Sequence, residues 1–258
     1  MRKICEDFLV QATEQLSDRH WLIRLRSSSA LPEMHPGQFV QVHIEDSPTT
    51  YLRRPISINM VDYGRNEILL LVATIGEGTR HLVRKKPGEK VNCLLPLGNS
   101  FTMPRSTDER FLLVGGGVGI APMLFLGERL VELGVRPSFL LGARTADELL
   151  EKDMFSELGD LYLTTEDGSE GEKGYVTNHS ILKEKRFDRI ATCGPKPMMM
   201  SVARYAKQNS IECEVSLEND MACGLGACLC CVEDTTDGHI CVCTAGPVLN
   251  IKKLLWQL

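Results

Sequence analysis

The first hundred residues consist of short apolar runs separated by turn residues. The runs 21–25, 38–44 and 67–73 are rich in β-branched and other large apolar side chains, a pattern typical of short strands. Regularly spaced short strands predict an antiparallel β-barrel or a β-sandwich. We therefore expect the N-terminal region to form one all-β domain.

After Pro104 the pattern changes to strand, glycine turn, helix and strand. An apolar strand at 110–114 is followed by a glycine turn at 115–119, a helix candidate at 122–133 and a second strand at 138–142. This alternation predicts a parallel sheet covered by helices. The boundary is expected within 102–109, and we place the first domain at residues 1–103 and the second at 104–212.

Two glycine-containing turns follow strands of this predicted sheet, at Gly115–Gly119 and at Cys193–Pro195. A turn without β-carbons lets a dinucleotide approach the backbone, and the following helix offers unpaired N–H groups to its phosphates. The first turn lacks the G-x-G-x-x-G spacing, so a turn that only packs a helix on a strand is the alternative. The two turns together favour nucleotide binding at the carboxyl ends of the strands.

Six of the ten cysteines lie between residues 223 and 243. Four of them follow the spacing C-x4-C-x2-C, with the fourth after eleven further residues, as in plant-type ligand sets of 2Fe-2S clusters. Glycines between the first two cysteines allow the chain to bend and leave N–H groups for the cluster sulfurs. The sequence predicts a cluster-binding segment at residues 213–258 with the ligands Cys223, Cys228, Cys231 and Cys243.

Zinc and disulfides are the alternatives for such a cysteine-rich segment. Structural zinc usually has two matched C-x2-C pairs or Cys/His pairs, which this spacing does not provide. Residues 1–7 lack the apolar core of a signal peptide, so a reducing cytosol is expected. The other cysteines are interpreted as small buried hydrophobes, namely Cys5, Cys93, Cys193, Cys213, Cys230 and Cys241.

The net charge of −5 argues against a nucleic-acid partner. The most apolar stretch, 111–126, is interrupted by four glycines and a proline, and it lacks the ~20 apolar residues of a membrane span. We therefore expect a soluble, cytoplasmic protein. The six histidines are scattered, and no acid–base pair or nucleophile is predicted, so no catalytic residue is assigned.

Several ordered motifs resemble the ferredoxin-NADP reductase superfamily. They are Arg54-Pro-Ile-Ser57, Gly76-Glu-Gly-Thr79, Leu97-Gly-Asn99, Gly115–Pro122 and Cys193-Gly-Pro195. With the C-terminal cysteines, the whole chain resembles the electron-transfer subunits of class B dihydroorotate dehydrogenases. The resemblance implies a multidomain fold, with a flavin-binding antiparallel β-barrel, an α/β nucleotide-binding domain with a parallel sheet, and a small C-terminal 2Fe-2S domain.

The resemblance also implies roles for the matching residues. Arg54 would contact the FAD pyrophosphate with its forked guanidinium, although Arg53 could compete, and Ser57 would hydrogen-bond near the flavin ring. Core packing is the alternative for the stretch 71–73, and Cys193 would either tune hydride transfer or be a buried structural thiol. The other residues expected around FAD are Pro55, Ile56, Leu71, Val72, Ala73, Gly78 and Thr79. Those expected around the nicotinamide nucleotide are Gly115, Gly116, Gly117, Gly119, Cys193, Gly194 and Pro195.

The implied function is electron transfer in pyrimidine biosynthesis. A separate FMN-containing catalytic subunit would oxidise dihydroorotate, and electrons would pass through the cluster and FAD to NAD+, in a heterotetramer with two copies of each subunit. NAD rather than NADP comes from the resemblance alone, because residues 142–148 offer both signs of charge. A subunit of a related NAD(P)H-dependent ferredoxin or sulfide oxidoreductase is one alternative. A non-catalytic, zinc-stabilised nucleotide-binding module is an alternative of another class.

Overall fold

The computed structural model describes residues 2–45, 47 and 49–258. Six antiparallel strands close a barrel in the order β1-β2-β5-β4-β3-β6, and the pairing of β1 with β6 decides between a barrel and a sandwich. The predicted antiparallel barrel is therefore confirmed. Its strands are β1 (Ile4–Gln15), β2 (His20–Arg26), β3 (Phe39–Val42), β4 (Arg54–Asp62), β5 (Glu67–Ala73) and β6 (Lys90–Leu97), with the short helix α1 (Glu77–Leu82) between the last two.

A seven-stranded sheet has the order β10-β9-β8-β7-β11-β12-β15. Its neighbouring strands are parallel except for the pair β12 and β15, so the predicted parallel sheet is confirmed. The strands are β7 (Phe111–Gly116), β8 (Ser138–Ala143), β9 (Asp160–Thr165), β10 (Glu172–Lys173), β11 (Arg189–Cys193), β12 (Glu212–Ser216) and β15 (Val248–Asn250). The helices are α2 (Ala121–Glu132), α3 (Lys152–Leu158), α4 (Ile181–Glu184) and α5 (Lys196–Gln208).

Strand β7 lies between β8 and β11 in this sheet. The chain therefore moves to one side of β7 first and returns to its other side later. Such a reversal of strand order opens a crevice at the carboxyl ends of the strands, where open α/β sheets bind their ligands. Both predicted glycine turns lie at this position, one at the end of β7 and one after β11.

Residues 217–247, which we call the cluster segment, connect β12 to β15. The segment contains a hairpin of β13 (Val232–Thr235) and β14 (Gly238–Cys241), followed by the short helix α6 (Val242–Ala245). The two flanking strands pair with each other in the large sheet. The boundary expected at residue 212 falls on the first residue of β12, so both ends of the cluster segment are anchored in the nucleotide-domain sheet.

The barrel and the sheet share apolar side chains across their contact. Phe125 of α2 packs with the barrel core, while Leu71 of β5 packs with the core of the α/β domain. These side chains are 0% and 2% exposed. One polar contact crosses the same interface, because Asn59 Nδ2 donates a hydrogen bond to Glu151 Oε1 at 2.8 Å. Mutual burial of this kind fixes the crevice against the outer wall of the barrel.

The described part of the chain contains no helix that is both long and apolar enough to cross a lipid bilayer.

Candidate cofactor and iron-sulfur site

The four predicted ligand cysteines form two neighbouring pairs. Cys228 is among the groups that lower the pKa of Cys223, and Cys231 is among those that raise the pKa of Cys243 and of Cys241, so these side chains are neighbours. A 2Fe-2S cluster is held by four thiolates, which gives two for each iron. Within the described ranges, no group of three or more His, Cys, Asp or Glu side chains could hold a single metal ion. The donor set and its division into two pairs fit a two-iron cluster.

Left-handed backbone conformations bend the chain around the cysteines. Gly224 and Gly226 have φ angles of 70° and 79°, and Leu229 has a φ of 60°. Glycine adopts this region at little cost, whereas a residue such as leucine is uncommon there. The bend predicted from the two glycines is therefore present, whereas the left-handed conformation of Leu229 was not predicted.

Backbone N–H groups of the bend point at cysteine sulfurs. Leu225 N donates to Cys223 Sγ at 3.3 Å, Gly226 N donates to Cys243 Sγ at 3.2 Å, and Cys243 N donates to Cys231 Sγ at 3.3 Å. The hydrogen bond from Leu225 is the largest of several that lower the pKa of the Cys223 thiol to about 6. Burial instead raises the pKa of Cys243 to about 12. The bend thus stabilises a thiolate at its first cysteine.

The two pairs differ in exposure. Cys231 and Cys243 are 2% and 1% exposed, whereas Cys223 is partly buried and Cys228 is exposed. One pair is thus enclosed by the protein, and the other reaches its surface. A redox group held by all four sulfurs would have one side directed at solvent or at another protein.

The interpretation of the remaining cysteines as buried hydrophobes is wrong for two of them. Cys93, Cys193 and Cys213 are buried, but Cys5 and Cys230 are exposed, and Cys241 is partly buried. Cys5 follows the alternation of β1, whose burial pattern places it near the surface, and Cys230 lies in the loop before β13. The sulfurs of Cys230 and Cys241 face the carbonyl oxygens of Asp220 and Gly226, at 3.6 and 3.7 Å.

Asn99 ties the cluster segment to the barrel. Its Nδ2 donates to the carbonyl oxygens of Ala245 and Val248 at 3.1 and 2.8 Å, and its Oδ1 accepts from Val248 N at 2.9 Å. A side chain on Gly98 would lie 2.6 Å from Pro247, so the two turns need glycine for their close approach. The motif Leu97-Gly-Asn99 therefore holds the turn that follows Cys243.

The two glycine turns of the α/β domain lie against each other. A β-carbon on Gly119 would lie 2.5 Å from the Cys193 carbonyl oxygen, and one on Gly194 would lie 2.9 Å from the Gly116 oxygen. Gly117 has a φ of 56° and faces open space. The two turns form a backbone-lined floor at the switch point, with room for a ligand above Gly117.

Glu218 is a functional candidate that the sequence analysis missed. Its Oε1 lies 3.8 Å from the Sγ of Cys193, which donates to it. Although Glu218 is exposed, the protein atoms around it raise the pKa of its carboxyl group, as burial raises that of the Cys193 thiol. A paired thiol and carboxyl with raised pKa values at a ligand crevice are typical of functional sites. The signal in the sequence was only the position of Glu218 just after β12.

Two adjacent arginines differ in their contacts: Arg53 lies just before β4, and Arg54 is the first residue of β4. Arg53 donates to the carbonyl oxygens of Gln41 and Asn92 at 3.2 and 3.1 Å, and to Asn92 Oδ1. Arg54 has no recorded hydrogen bond or ion pair with another described residue. Its guanidinium lies beside Gly78, where a β-carbon would be 3.0 Å from Arg54 Nε. The structure thus brings Arg54 together with the Gly76–Thr79 motif, whereas Arg53 is hydrogen-bonded to strands of the barrel.

The remaining residues expected around FAD are distributed over two environments. Ser57 is half-buried on β4 beside Pro55 and has no recorded side-chain hydrogen bond within the described residues, whereas Thr79 Oγ1 bonds with the backbone of Gly76. Ile56 belongs to the barrel core. Leu71 and Val72 are each 2% exposed, and only Ala73 is partly open to solvent. Core packing accounts for Leu71 and Val72 as they stand.

Family models match the two C-terminal parts of the chain. Residues 113–204 match the oxidoreductase NAD-binding domain. Residues 218–255 match the iron-sulfur cluster binding domain of dihydroorotate dehydrogenase B. These ranges contain the two facing glycine turns and the two cysteine pairs, respectively. The fold and the site thus define an iron-sulfur oxidoreductase with an NAD-binding domain.

Known proteins resemble the chain over nearly its full length. The dihydroorotate dehydrogenase B (NAD(+)) electron transfer subunit of Bacillus velezensis is 36% identical over 249 residues, which are 95% of this chain and 96% of that protein. The corresponding subunit of Bacillus mycoides is 40% identical over 227 residues, 85% of this chain and 86% of that protein. The chain belongs to the family of dihydroorotate dehydrogenase B electron transfer subunits.

Solved structures share the fold. A chain of the NADH-dependent reduced ferredoxin-NADP oxidoreductase, described in connection with flavin-based electron bifurcation, has a TM-score of 0.87 and 28% identity, over 96% of this chain and 90% of that one. The ferredoxin reductase of carbazole 1,9a-dioxygenase has a TM-score of 0.69 at 18% identity, over 82% and 67%. The second likeness concerns the fold alone.

Proposed function

We propose that this chain is the electron-transfer subunit of a dihydroorotate dehydrogenase B. In this proposal it accepts electrons from an FMN-containing catalytic subunit that oxidises dihydroorotate, and it delivers them to NAD+ in pyrimidine biosynthesis. The observation that carries the proposal is that one barrel is joined to both other parts: the hydrogen bonds of Asn99, which we call the polar clasp, tie it to the four-cysteine segment, and Leu71 and Phe125 tie it to the nucleotide domain. The 2Fe-2S cluster would supply one-electron transfer, nicotinamide would supply hydride transfer, and FAD, which takes part in both, would join them.

The four cysteines would hold the cluster as two pairs. Cys223 and Cys228 would bind one iron, and Cys231 and Cys243 the other. The N–H groups of Leu225, Gly226 and Cys243 would stay directed at the sulfurs, where they favour the thiolate form. The exposure of Cys228 supports an approach of the partner from that side.

The outer wall of the barrel would hold FAD. The guanidinium of Arg54 has no partner among the described residues and has the fork that suits a pyrophosphate, and Gly78 lies against it without a β-carbon. Ser57 offers a hydroxyl that no described residue occupies. Pro55 and Ile56 would fix the course of β4 between these groups, Thr79 would hold the backbone next to Gly78, and Leu71, Val72 and Ala73 would back the site from β5.

The crevice at the switch point would hold the nicotinamide nucleotide. Gly115, Gly116, Gly117 and Gly119 would receive its phosphates, and the turn Cys193-Gly194-Pro195 would support its ring. Cys193 and Glu218 would lie on the floor beneath the reacting ring, where the surrounding protein atoms raise the pKa of the Glu218 carboxyl above its ordinary value. We propose NAD as the nucleotide, in keeping with the name of the relatives, dihydroorotate dehydrogenase B (NAD(+)) electron transfer subunit.

The same proposal includes the division of the chain into functional units, the subunit composition of the enzyme and its cellular compartment. The three functional units are placed at residues 1–103, 104–212 and 213–258, with two copies of this subunit and two of the catalytic subunit in a heterotetramer. The ten cysteines are all free, which supports a reducing compartment, the cytoplasm.

The test is the visible spectrum of anaerobically purified protein before and after NADH. We expect flavin bands on a broad iron-sulfur absorbance, with bleaching of both by NADH. Dihydroorotate should bleach them only when the catalytic subunit is present. A colourless protein with bound zinc would refute the proposal.

The resemblance to the ferredoxin-NADP oxidoreductase chain favours a second candidate, a subunit of an NAD(P)H-dependent ferredoxin oxidoreductase. The same experiment separates the two candidates. Bleaching by reduced ferredoxin, with no response to dihydroorotate and the catalytic subunit, would favour the second candidate.

A further inference from the structure

Gln41 lies on the outer face of β3. Its neighbours Val40 and Val42 pack in the barrel core, and Phe39 packs with the cluster segment around Cys231 and Cys243. Because successive side chains of a strand point to opposite faces, Gln41 shares the outward face with Phe39. It is nevertheless 0% exposed, since the cluster segment covers this part of the barrel.

The side-chain amide of Gln41 has no hydrogen-bond partner in the described part of the chain. Both Nε2 and Oε1 are buried without a partner within the described ranges of the chain. Buried amides in native proteins are nearly always hydrogen-bonded, because burying one without a partner is costly. A fully buried, unpaired amide therefore points to a group that the polypeptide itself does not supply.

The cluster bend faces this amide directly. A β-carbon on Gly224 would lie 2.8 Å from Gln41 Cγ, 3.2 Å from Gln41 Nε2 and 3.0 Å from Leu97. The left-handed φ of 70° and this contact both require glycine at position 224. Gly224 follows Cys223 directly, so the amide meets the bend at the first of the predicted ligands.

The backbone of Gln41 is held in place from the opposite side. Arg53 Nη1 donates to the Gln41 carbonyl oxygen at 3.2 Å and to that of Asn92 at 3.1 Å. Gln41 also pairs with Pro55 across the strands. Gln41 thus lies between the proposed flavin strand β4 and the cluster bend. Hydrogen bonds hold its backbone, while its side-chain amide is unpaired among the described residues.

We infer that the Nε2 group of Gln41 donates a hydrogen bond to a sulfur of the bound 2Fe-2S cluster, either a thiolate or a sulfide. The inference rests on the proposed function, since it requires the cluster. A donor to sulfur stabilises the more negative, reduced cluster, because hydrogen bonds to the sulfurs tune the potential. Gln41 then sets how readily the cluster accepts an electron next to the proposed flavin strand.

The test is an EPR-monitored redox titration of the purified holoprotein and its Gln41→Met variant, which keeps the side-chain length and removes the amide. We expect the equilibrium constant for one-electron reduction of the cluster to fall about tenfold, about 59 mV towards more negative potential. Val42→Ala on the inner face of the same strand is the matched control. It should loosen the barrel core and leave the cluster potential unchanged.

A second measurement does not depend on how the variant folds. Pulsed EPR of the reduced wild-type protein, grown with glutamine labelled with 15N at the side-chain amide, should detect a nitrogen coupled to the cluster. Absence of that coupling, or a Gln41→Met potential equal to that of the wild type, would overturn the inference. A wild-type protein without any cluster signal would instead refute the proposed function itself.

Discussion

The barrel contacts its two neighbours by different means. Towards the α/β domain it exchanges large apolar side chains, Phe125 in one direction and Leu71 in the other. Towards the cluster segment it adds, to the packing of Phe39 and Leu97, backbone-directed hydrogen bonds from Asn99 and close approaches at Gly98 and Gly224. Apolar burial is strong but non-directional, whereas hydrogen bonds to specific carbonyl groups fix position. The first interface is thus suited to hold two domains together, and the second to hold a redox site in register.

The largest effect should come from the apolar interface. Phe125→Ala removes a ring that is 0% exposed, and we expect it to lower the free energy of unfolding by about 3–5 kcal/mol. Chemical denaturation of the holoprotein would measure this, with Val131→Ala, at a position of α2 that is 41% exposed, as the control. A variant that loses its iron before any loss of global stability would contradict the division of roles.

Removing the hydrogen bonds of Asn99 should cost less free energy than Phe125→Ala, and its effect should be confined to the cluster segment. Asn99→Ala removes three hydrogen bonds, at a total cost of about 2–4 kcal/mol. We expect faster loss of iron while the flavin is retained, as measured by iron and flavin content after dialysis. Asn209→Ala removes a single surface hydrogen bond and should leave both contents unchanged. Equal loss of flavin and iron would show that the clasp does not act on the cluster segment alone.

The buried polar pair in the apolar interface should make stability depend on pH. Burial raises the pKa of Glu151 from 4.5 to about 7, so between these values the folded protein binds more protons than the unfolded chain, and stability falls as the pH rises. Glu151→Gln keeps an acceptor for Asn59 and removes the ionisable group. We expect the variant to be more stable than the wild type at pH 8 by up to about 3 kcal/mol and equal to it at pH 4. Unfolding midpoints across this range would measure the difference. A difference that does not change with pH would be evidence against the buried carboxyl.

Substitution of each arginine separates a residue that bonds within the barrel, Arg53, from one proposed to bind FAD, Arg54. Arg54→Met should weaken FAD binding by about 1.5–3 kcal/mol, roughly 10–150-fold, because a charge-assisted contact is lost. Arg53→Met should lower the unfolding midpoint and change the FAD affinity little, since Arg53 bonds with Gln41 and Asn92. Flavin titration of the apoprotein would compare them. The reverse ranking would assign the phosphate contact to Arg53.

Local patterns in the sequence predicted the strands and the glycine turns, and the spacing of the cysteines predicted the ligands of the cluster. Strands and glycine turns depend on neighbours in the chain, which is why the all-β domain and the parallel sheet could be predicted from the pattern, whereas the choice of a barrel over a sandwich came from the family resemblance. The pairing of β15 with β12 could not, because it joins residues on both sides of the cluster segment.

The site residues that escaped prediction all depend on tertiary neighbours. Glu218 matters through its contact with Cys193, and Gln41 through its burial against Gly224. The difference between Arg53 and Arg54 is likewise absent from the sequence, because both have the same side chain and adjacent positions. Only the folded chain shows that one of them is already engaged.

The most direct test of electron transfer through this chain is EPR spectroscopy of the anaerobic holoprotein after addition of NADH. We predict the signal of a reduced 2Fe-2S cluster, appearing with the loss of flavin absorbance and absent when FAD has been removed. A cluster that dithionite reduces but NADH leaves oxidised in the FAD-loaded protein would contradict the proposed route between the nicotinamide crevice and the cysteine pairs.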